Sequence, residues 1–321
     1  MDFTFSEIQE ELRKQARDWT RERWPLERAQ EAQYDPSTWA ELAELGWLGV
    51  SVPEEQGGAG LSFLEEAVLL DELGYALYAG PFFSTVALAL PALDADDAAK
   101  VAAGDEKWSA VVDGRVPDLD RVDRVLTGDG PAAGGGEVVA TMDETRPLGT
   151  LGASDAVLDR PRVLAATALE AVGVGQRALE LAVEYVGTRE QFGRKIGVYQ
   201  AVSHQVVDAF VDVELARSIA YWAAWAVSEG DAQAPLAAAA AKAKATEAAV
   251  AACERSIQVH GGIGFTWEHP LHRYYKRAQW LEAFAGYPSV HRAAVAKAVL
   301  AGETESTAEA REPSAAPAHA K

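Results

Sequence analysis

Apolar positions recur at three- and four-residue spacing over most of this chain, and that spacing predicts helices rather than strands. Ile8, Leu12, Ala16 and Trp19 mark one face of a first helix, with Ser6 as its N-cap and Pro25 ending it. A short helix over 37–45 stops at Gly46, and a glycine-rich turn over 53–60 follows. Periodicity resumes over 61–78 through Leu64, Val68, Leu69, Leu73 and Leu77, and a further helix is predicted over 82–93. From 94 to 161 the pattern changes to short apolar runs at 108–112, 122–126 and 138–142, parted by Gly, Pro and Asp, which predict strands. The stretch PAAGGGE at 131–137 reads as a loop. Four long helices are predicted after that, over 163–186, 199–229, 235–260 and 289–301, with apolar faces and short connections that suit an antiparallel four-helix bundle. The predicted fold is mainly α with a small β middle domain. It divides into an N-terminal helical domain (1–95), a shortened β-rich middle domain (96–161), a C-terminal four-helix bundle (162–301) and a disordered tail (302–321) that is polar and rich in Ala and Pro.

Charge narrows the partners. Lys plus Arg total 29 and Asp plus Glu total 49, so the formal net charge is −20, which argues against nucleic acid or an anionic membrane. A small anion stays admissible, because Arg189, Arg194 and Lys195 cluster, as do Arg273, Lys276 and Arg277. The opening MDFTFSEIQEELRKQ has no signal-type apolar core and no run approaches a membrane span, so a soluble, cytoplasmic protein is expected. The single Cys253 lies in an alanine-rich helix and reads as a small packed thiol.

The densest chemistry lies at 185–200, YVGTREQFGRKIGVYQ. A helix delivers Arg189, a forked donor suited to phosphate oxygens, Gln191, a neutral amide, and Phe192, a flat apolar face. A second stretch, QVHGGIGFTWEHPLHRYYKRA at 258–278, follows a long helix, and its Gly261, Gly262 and Gly264 permit close backbone approaches. Three other patterns carry less. Gly173, Gly175 and Ala178 spell G-x-G-x-x-A, but no strand precedes them, so close helix packing explains them. His260, Glu268, His269 and His272 straddle a proline-broken loop rather than one helical face, so no metal site is predicted. Tyr221, Trp222 and Trp225 have the spacing of a core or subunit-facing stripe.

The order Y-x-x-x-R-x-Q-F-G followed by Q-x-H-G-G-x-G-F-x-x-E-x-P, with GWLGVSVPEEQGGAG at 46–60, resembles the acyl-CoA dehydrogenase family of flavoproteins over roughly 1–95 and 160–300. The resemblance implies FAD as cofactor, an acyl-CoA thioester as substrate, bulky steroid-CoA esters included, and a flavoprotein as electron acceptor. By the same resemblance Arg189, Gln191, Phe192, Ile196, Tyr199 and Gln200, with Gln258, Gly261 and Gly262, clamp the adenosine and pyrophosphate end of a flavin whose ring sits in a neighbouring subunit. In that family a glutamate removes the substrate α-proton, and its usual turn is matched here by Phe284, Ala285, Gly286 and Tyr287, so Ala285 stands where the base belongs. The family's other base position falls on Val163, and Glu170, one to two turns onward, is the nearest carboxylate in that direction. The family's flavin-contact segments of the middle domain are not readable here. Together these features resemble the base-lacking subunits of heteromeric α2β2 dehydrogenases of bacterial sterol side-chain degradation, with a paralogous partner supplying the glutamate. A self-sufficient homo-oligomeric enzyme with a non-standard base, and a structural subunit without flavin, are the alternatives.

Overall fold

The computed structural model describes residues 4–31 and 33–302, so the tail expected at 302–321 lies, apart from Gly302, outside the described residues. Helix α1 (Glu7–Arg23) begins with a reciprocal capping box: the Ser6 hydroxyl accepts from the Gln9 amide at 3.2 Å and the Gln9 side chain accepts from Ser6 N–H at 3.0 Å. Two short helices, α2 (Leu26–Glu31) and α3 (Ser37–Glu44), follow, and α4 (Phe63–Tyr75) starts on a second capping box, Ser62 with Glu65. The region expected as a helix over 82–93 is instead wound as a π-helix, Phe83–Ala89, then a 3-10 turn. Its Thr85 hydroxyl donates to the Trp108 carbonyl at 2.7 Å and accepts from the Trp108 amide at 3.1 Å, so this segment carries the sheet region on side-chain bonds.

After α5 (Ala95–Ala102) come six short strands in two three-stranded sheets. In one, β1 (Trp108–Ala110) pairs in parallel with β3 (Arg124–Thr127), which turns into antiparallel β4 (Gly130–Ala133). In the other, β6 (Leu148–Thr150) lies between β2 (Val116–Pro117) and β5 (Glu137–Val139). The stretch 131–137 is thus not one loop: Pro131–Ala133 belong to β4 and Glu137 opens β5, with only three glycines between them.

Helices α6 (Arg160–Thr188), α7 (Gln200–Ser228) and α8 (Ala234–His260) pack against one another. The fourth member of the bundle is α9 (Leu271–Ala283), which lies on both α6 and α8 and was not predicted as a helix. Helix α10 (Pro288–Leu300), predicted to fill that place, packs chiefly on α8 and buries only Pro288 and His291. The α9 stripe is masked in the sequence because two of its buried positions are arginines, Arg273 and Arg277, the latter at 0% exposure. Glycines set the spacing of α6 to α4 and to α8: a Cβ on Gly173 would clash with the Asp71 carbonyl of α4, and one on Gly175 would stand 3.2 Å from Ala249 Cα of α8. Tyr221, Trp222 and Trp225 pack against the main core, and Cys253 is buried. Among the described residues no helix is long and apolar enough to cross a membrane, and no group of three or more His, Cys, Asp or Glu could hold a metal.

Candidate functional site

The 185–200 motif leaves α6 as a two-residue hairpin, β7 (Glu190–Gln191) with β8 (Arg194–Lys195). Phe192 and Gly193 at its tip both have positive φ, 53° and 77°, the signature of a type I′ turn, whose twist suits a tight antiparallel pair. Tyr199 staples the hairpin from below: its hydroxyl donates to the Gln191 carbonyl at 3.2 Å and its ring meets Phe192 edge-on at 6.4 Å. Phe192 itself is 91% exposed. Ile196 anchors the base of the turn in an apolar cluster with Ala182, Val186 and Val259.

That cluster brings the second motif to the same end of the bundle, because Val259 lies on the last turn of α8. Tyr185 and His260 stack at 4.2 Å between centroids, 24° from parallel, joining the two motifs directly. Gly261, at φ 64° and ψ −138°, turns the chain out of α8 in a conformation that a side chain would strain. A Cβ on Gly261 or Gly262 would meet nothing within 4 Å, so an approaching ligand finds bare backbone there. Gln258 and Gln200 are exposed beside it, and the Arg189 guanidinium makes no hydrogen bond or ion pair among the described residues. All nine residues singled out by the sequence are therefore gathered at one end of the bundle; the Gln191 amide donates to the Glu190 carbonyl at 2.8 Å, and the Arg189 guanidinium stays uncommitted among the described residues. Next to the glycine turn lies an open groove of about 600 Å³, walled by Met142, Ile257, Phe265, Trp267 and Tyr275. Lys276 holds its ammonium 4.5 Å from the Trp267 ring centre on that wall.

The turn at Ala285 is the opposite kind of place. Ala285 is 3% exposed with φ 58°, a strained value for a residue with a Cβ. Arg160 donates to its carbonyl at 2.7 Å, and His291 Nε2 lies 3.1 Å from the carbonyls of both Ala285 and Gly286. The fully buried Lys242 donates to the carbonyls of Glu282 and Gly286 at 3.1 and 3.0 Å, and burial lowers its pKa to about 7. Trp280 and Phe284 stack at 4.7 Å and Phe83 meets Phe284 edge-on at 5.8 Å, closing the interior. Between α4, the π-helix and α6 only about 10 Å³ of free space remains, near the least that holds one water.

Glu170, the other carboxylate weighed as a base, sits in a buried ion network that nothing in the sequence announced. One of its oxygens accepts from Arg146 at 2.6 Å and the other from Arg277. Arg277 also donates to Asp143 at 2.5 Å and to the Thr145 hydroxyl at 2.6 Å, and Arg146 lies 3.9 Å from Asp118. Burial works to raise the Asp143 carboxyl, and Arg277 with the Thr145 hydroxyl more than offsets it, leaving it below the usual value. Asp118, with one carboxylate oxygen that accepts no hydrogen bond, is pushed up by burial despite Arg146 and Arg121. The cluster Arg273, Lys276 and Arg277 does not act together: Arg277 is interior, Arg273 pairs with Glu144, and only Lys276 faces the groove.

Comparison with known proteins places this geometry. Residues 155–300 match the domain family described as Acyl-CoA dehydrogenase, C-terminal domain, and residues 6–95 match Acyl-CoA dehydrogenase, N-terminal domain. The acyl-CoA dehydrogenase IpdE2 of Mycobacterium tuberculosis is 36% identical over 273 residues, covering 76% of this chain and 81% of that protein. Among solved structures, the ChsE4-ChsE5 complex of Mycobacterium tuberculosis is 26% identical with a TM-score of 0.80, covering 95% of this chain and all of that one. A variant of the Tcur3481-Tcur3483 steroid ACAD also gives 26% and 0.80, covering 93% and 99%. The chain belongs to the acyl-CoA dehydrogenase family, oxidoreductases that act on CH–CH bonds and use FAD.

Proposed function

We propose that this chain is the cofactor-clamping, base-lacking subunit of a heteromeric acyl-CoA dehydrogenase. The observation that carries the reading is the contrast at the two turns: an uncommitted guanidinium at Arg189 near the uncovered backbone of Gly261–Gly262, against an alanine and a doubly ion-paired Glu170 where a base would have to work. The residues of the outer site fit an anionic nucleotide tail by their chemistry. Arg189 offers a bidentate fork to a phosphate, Gln191, Gln200 and Gln258 offer neutral amides, and bare glycine backbone allows close approach. FAD, when bound, supplies the hydride acceptor for dehydrogenation of the thioester. Because the hairpin points away from this chain's own core, the remainder of such a cofactor is enclosed by another subunit.

Apolar side chains left uncovered on α7 and α10 support an assembly. Phe210, Leu215, Val290 and Leu300 are 53, 52, 61 and 88% exposed. A paralogous acyl-CoA dehydrogenase subunit is the partner in this reading, and it brings the glutamate that takes the α-proton. The similarity to ChsE4-ChsE5, a complex of two named chains, favours a two-subunit assembly, and that to a steroid ACAD favours a steroid-CoA thioester as substrate, with a flavoprotein as the electron acceptor in this reading. The test is flavin retention. Purified with the paralogue the complex should be yellow and active, and Arg189→Ala should strip its FAD. A complex that keeps its flavin unchanged after Arg189→Ala would overturn the clamp.

A further inference from the structure

A second cavity, of about 490 Å³, opens between α1, the start of α2, the end of α4, α6 and α9, and shares no lining residue with the groove at the glycine turn. That volume lies in the range of small-molecule sites. Three arginines reach it, Arg17 and Arg21 from α1 and Arg177 from α6. In a chain of net charge −20 the lining of this cavity is nonetheless basic, three arginines against the one acid Glu180.

The arginines are fixed by groups that leave their forks open. Arg17 uses only Nε toward the buried Glu72, at 2.9 and 3.0 Å, so its two terminal nitrogens have no partner among the described residues. Arg177 uses one terminal nitrogen, toward the Tyr75 hydroxyl at 3.1 Å and Glu180 at 3.7 Å. Among the described residues Arg21 pairs with Asp18, at 3.4 Å. The acid on the cavity wall, Glu180, is already engaged at both oxygens, by the Gln176 amide at 2.8 Å and the Tyr75 hydroxyl at 2.5 Å. Leu26, Ala76 and the Trp24 ring add apolar surface to the wall.

We propose that this cavity binds a phosphate-bearing ring compound of about nucleotide size, the oxyanion held by Arg17, Arg21 and Arg177 and the ring lying on the Leu26, Ala76 and Trp24 wall. The site is independent of the flavin clamp and stands or falls without it. Calorimetric titration of the full chain with AMP, adenosine and inorganic phosphate tests it. AMP should bind, with adenosine and phosphate each at least about tenfold weaker, since each lacks one half of the recognition. Arg21→Met, a substitution at a largely exposed side chain that leaves the fold intact, should weaken AMP about tenfold, as should Arg177→Met. Repeating the AMP titration in Arg189→Met separates the two sites. Equal affinity for AMP and adenosine, no AMP binding, or binding that Arg189→Met removes and Arg21→Met leaves alone would overturn the proposal.

Discussion

Two turns of this protein share a backbone feature and use it in opposite ways. At the hairpin tip Phe192 has φ 53° and at the interior turn Ala285 has φ 58°, both unfavourable for residues with a Cβ. The first presents a bare ring and an unpaired guanidinium to the outside, on a base held by Tyr199 and Ile196. The second is pinned by Arg160, Lys242 and His291 and sealed by Phe83, Trp280 and Phe284. In the reading proposed above, the first turn holds donors toward a ligand and the second holds the chain shut, so that the outward contacts of the family are kept while the interior is filled.

The comparison can be broken most strongly at the interior. Arg277→Met leaves Asp143 and Glu170 buried without that partner, and should cost about 3–5 kcal/mol in denaturant unfolding while leaving the hairpin donors in place. Glu170→Gln should likewise destabilise without touching turnover of the assembled enzyme, since its oxygens are engaged by Arg146 and Arg277 rather than by substrate. At the hairpin the balance reverses. Arg189→Ala should change stability by no more than about 0.5 kcal/mol, as an exposed side chain without partners, yet lower flavin affinity of the complex at least about tenfold, the worth of one charge-assisted hydrogen bond.

Smaller effects follow from protons. Burial lowers Lys242 to about 7, so between that value and the ordinary lysine value of 10.5 the unfolded chain holds a proton that the native chain has released. Stability should therefore rise with pH across that window, and Lys242→Met should flatten the rise in a series of thermal melts. His269 and His272 are lowered to about 4, first by burial and then by neighbouring charges, His260 for one and Arg273 for the other. Both add a loss of stability as pH falls from 6.5 toward 4, and His272→Gln should soften it.

What the sequence made legible follows from the range of the interactions. Helices α1, α4, α6, α7 and α8 are written in local periodicity and caps, and the hairpin and glycine turn in contiguous motifs, so both could be read. Strands β2 and β4, of two and four residues and carrying Pro117, Gly130 and Pro131, give no alternation to detect. The ion network is invisible for another reason: Arg277 and Asp143 are 134 residues apart, and Asp143 taken alone looks like a turn residue. Arg277 disguised α9 for the same reason, being buried only because those distant acids receive it. The cavity at Arg17, Arg21 and Arg177 likewise needs α1 and α6 side by side before its charge can be counted.

The central claim is that the outer grip persists without a proton-abstracting group. Anaerobic mixing of the chain purified alone, with FAD added, against short, long and steroid CoA thioesters measures it directly through loss of the oxidised-flavin absorbance. No thioester-dependent bleaching is predicted, with bleaching restored on adding the paralogous subunit. Bleaching by the lone chain that Glu170→Gln abolishes would contradict the account.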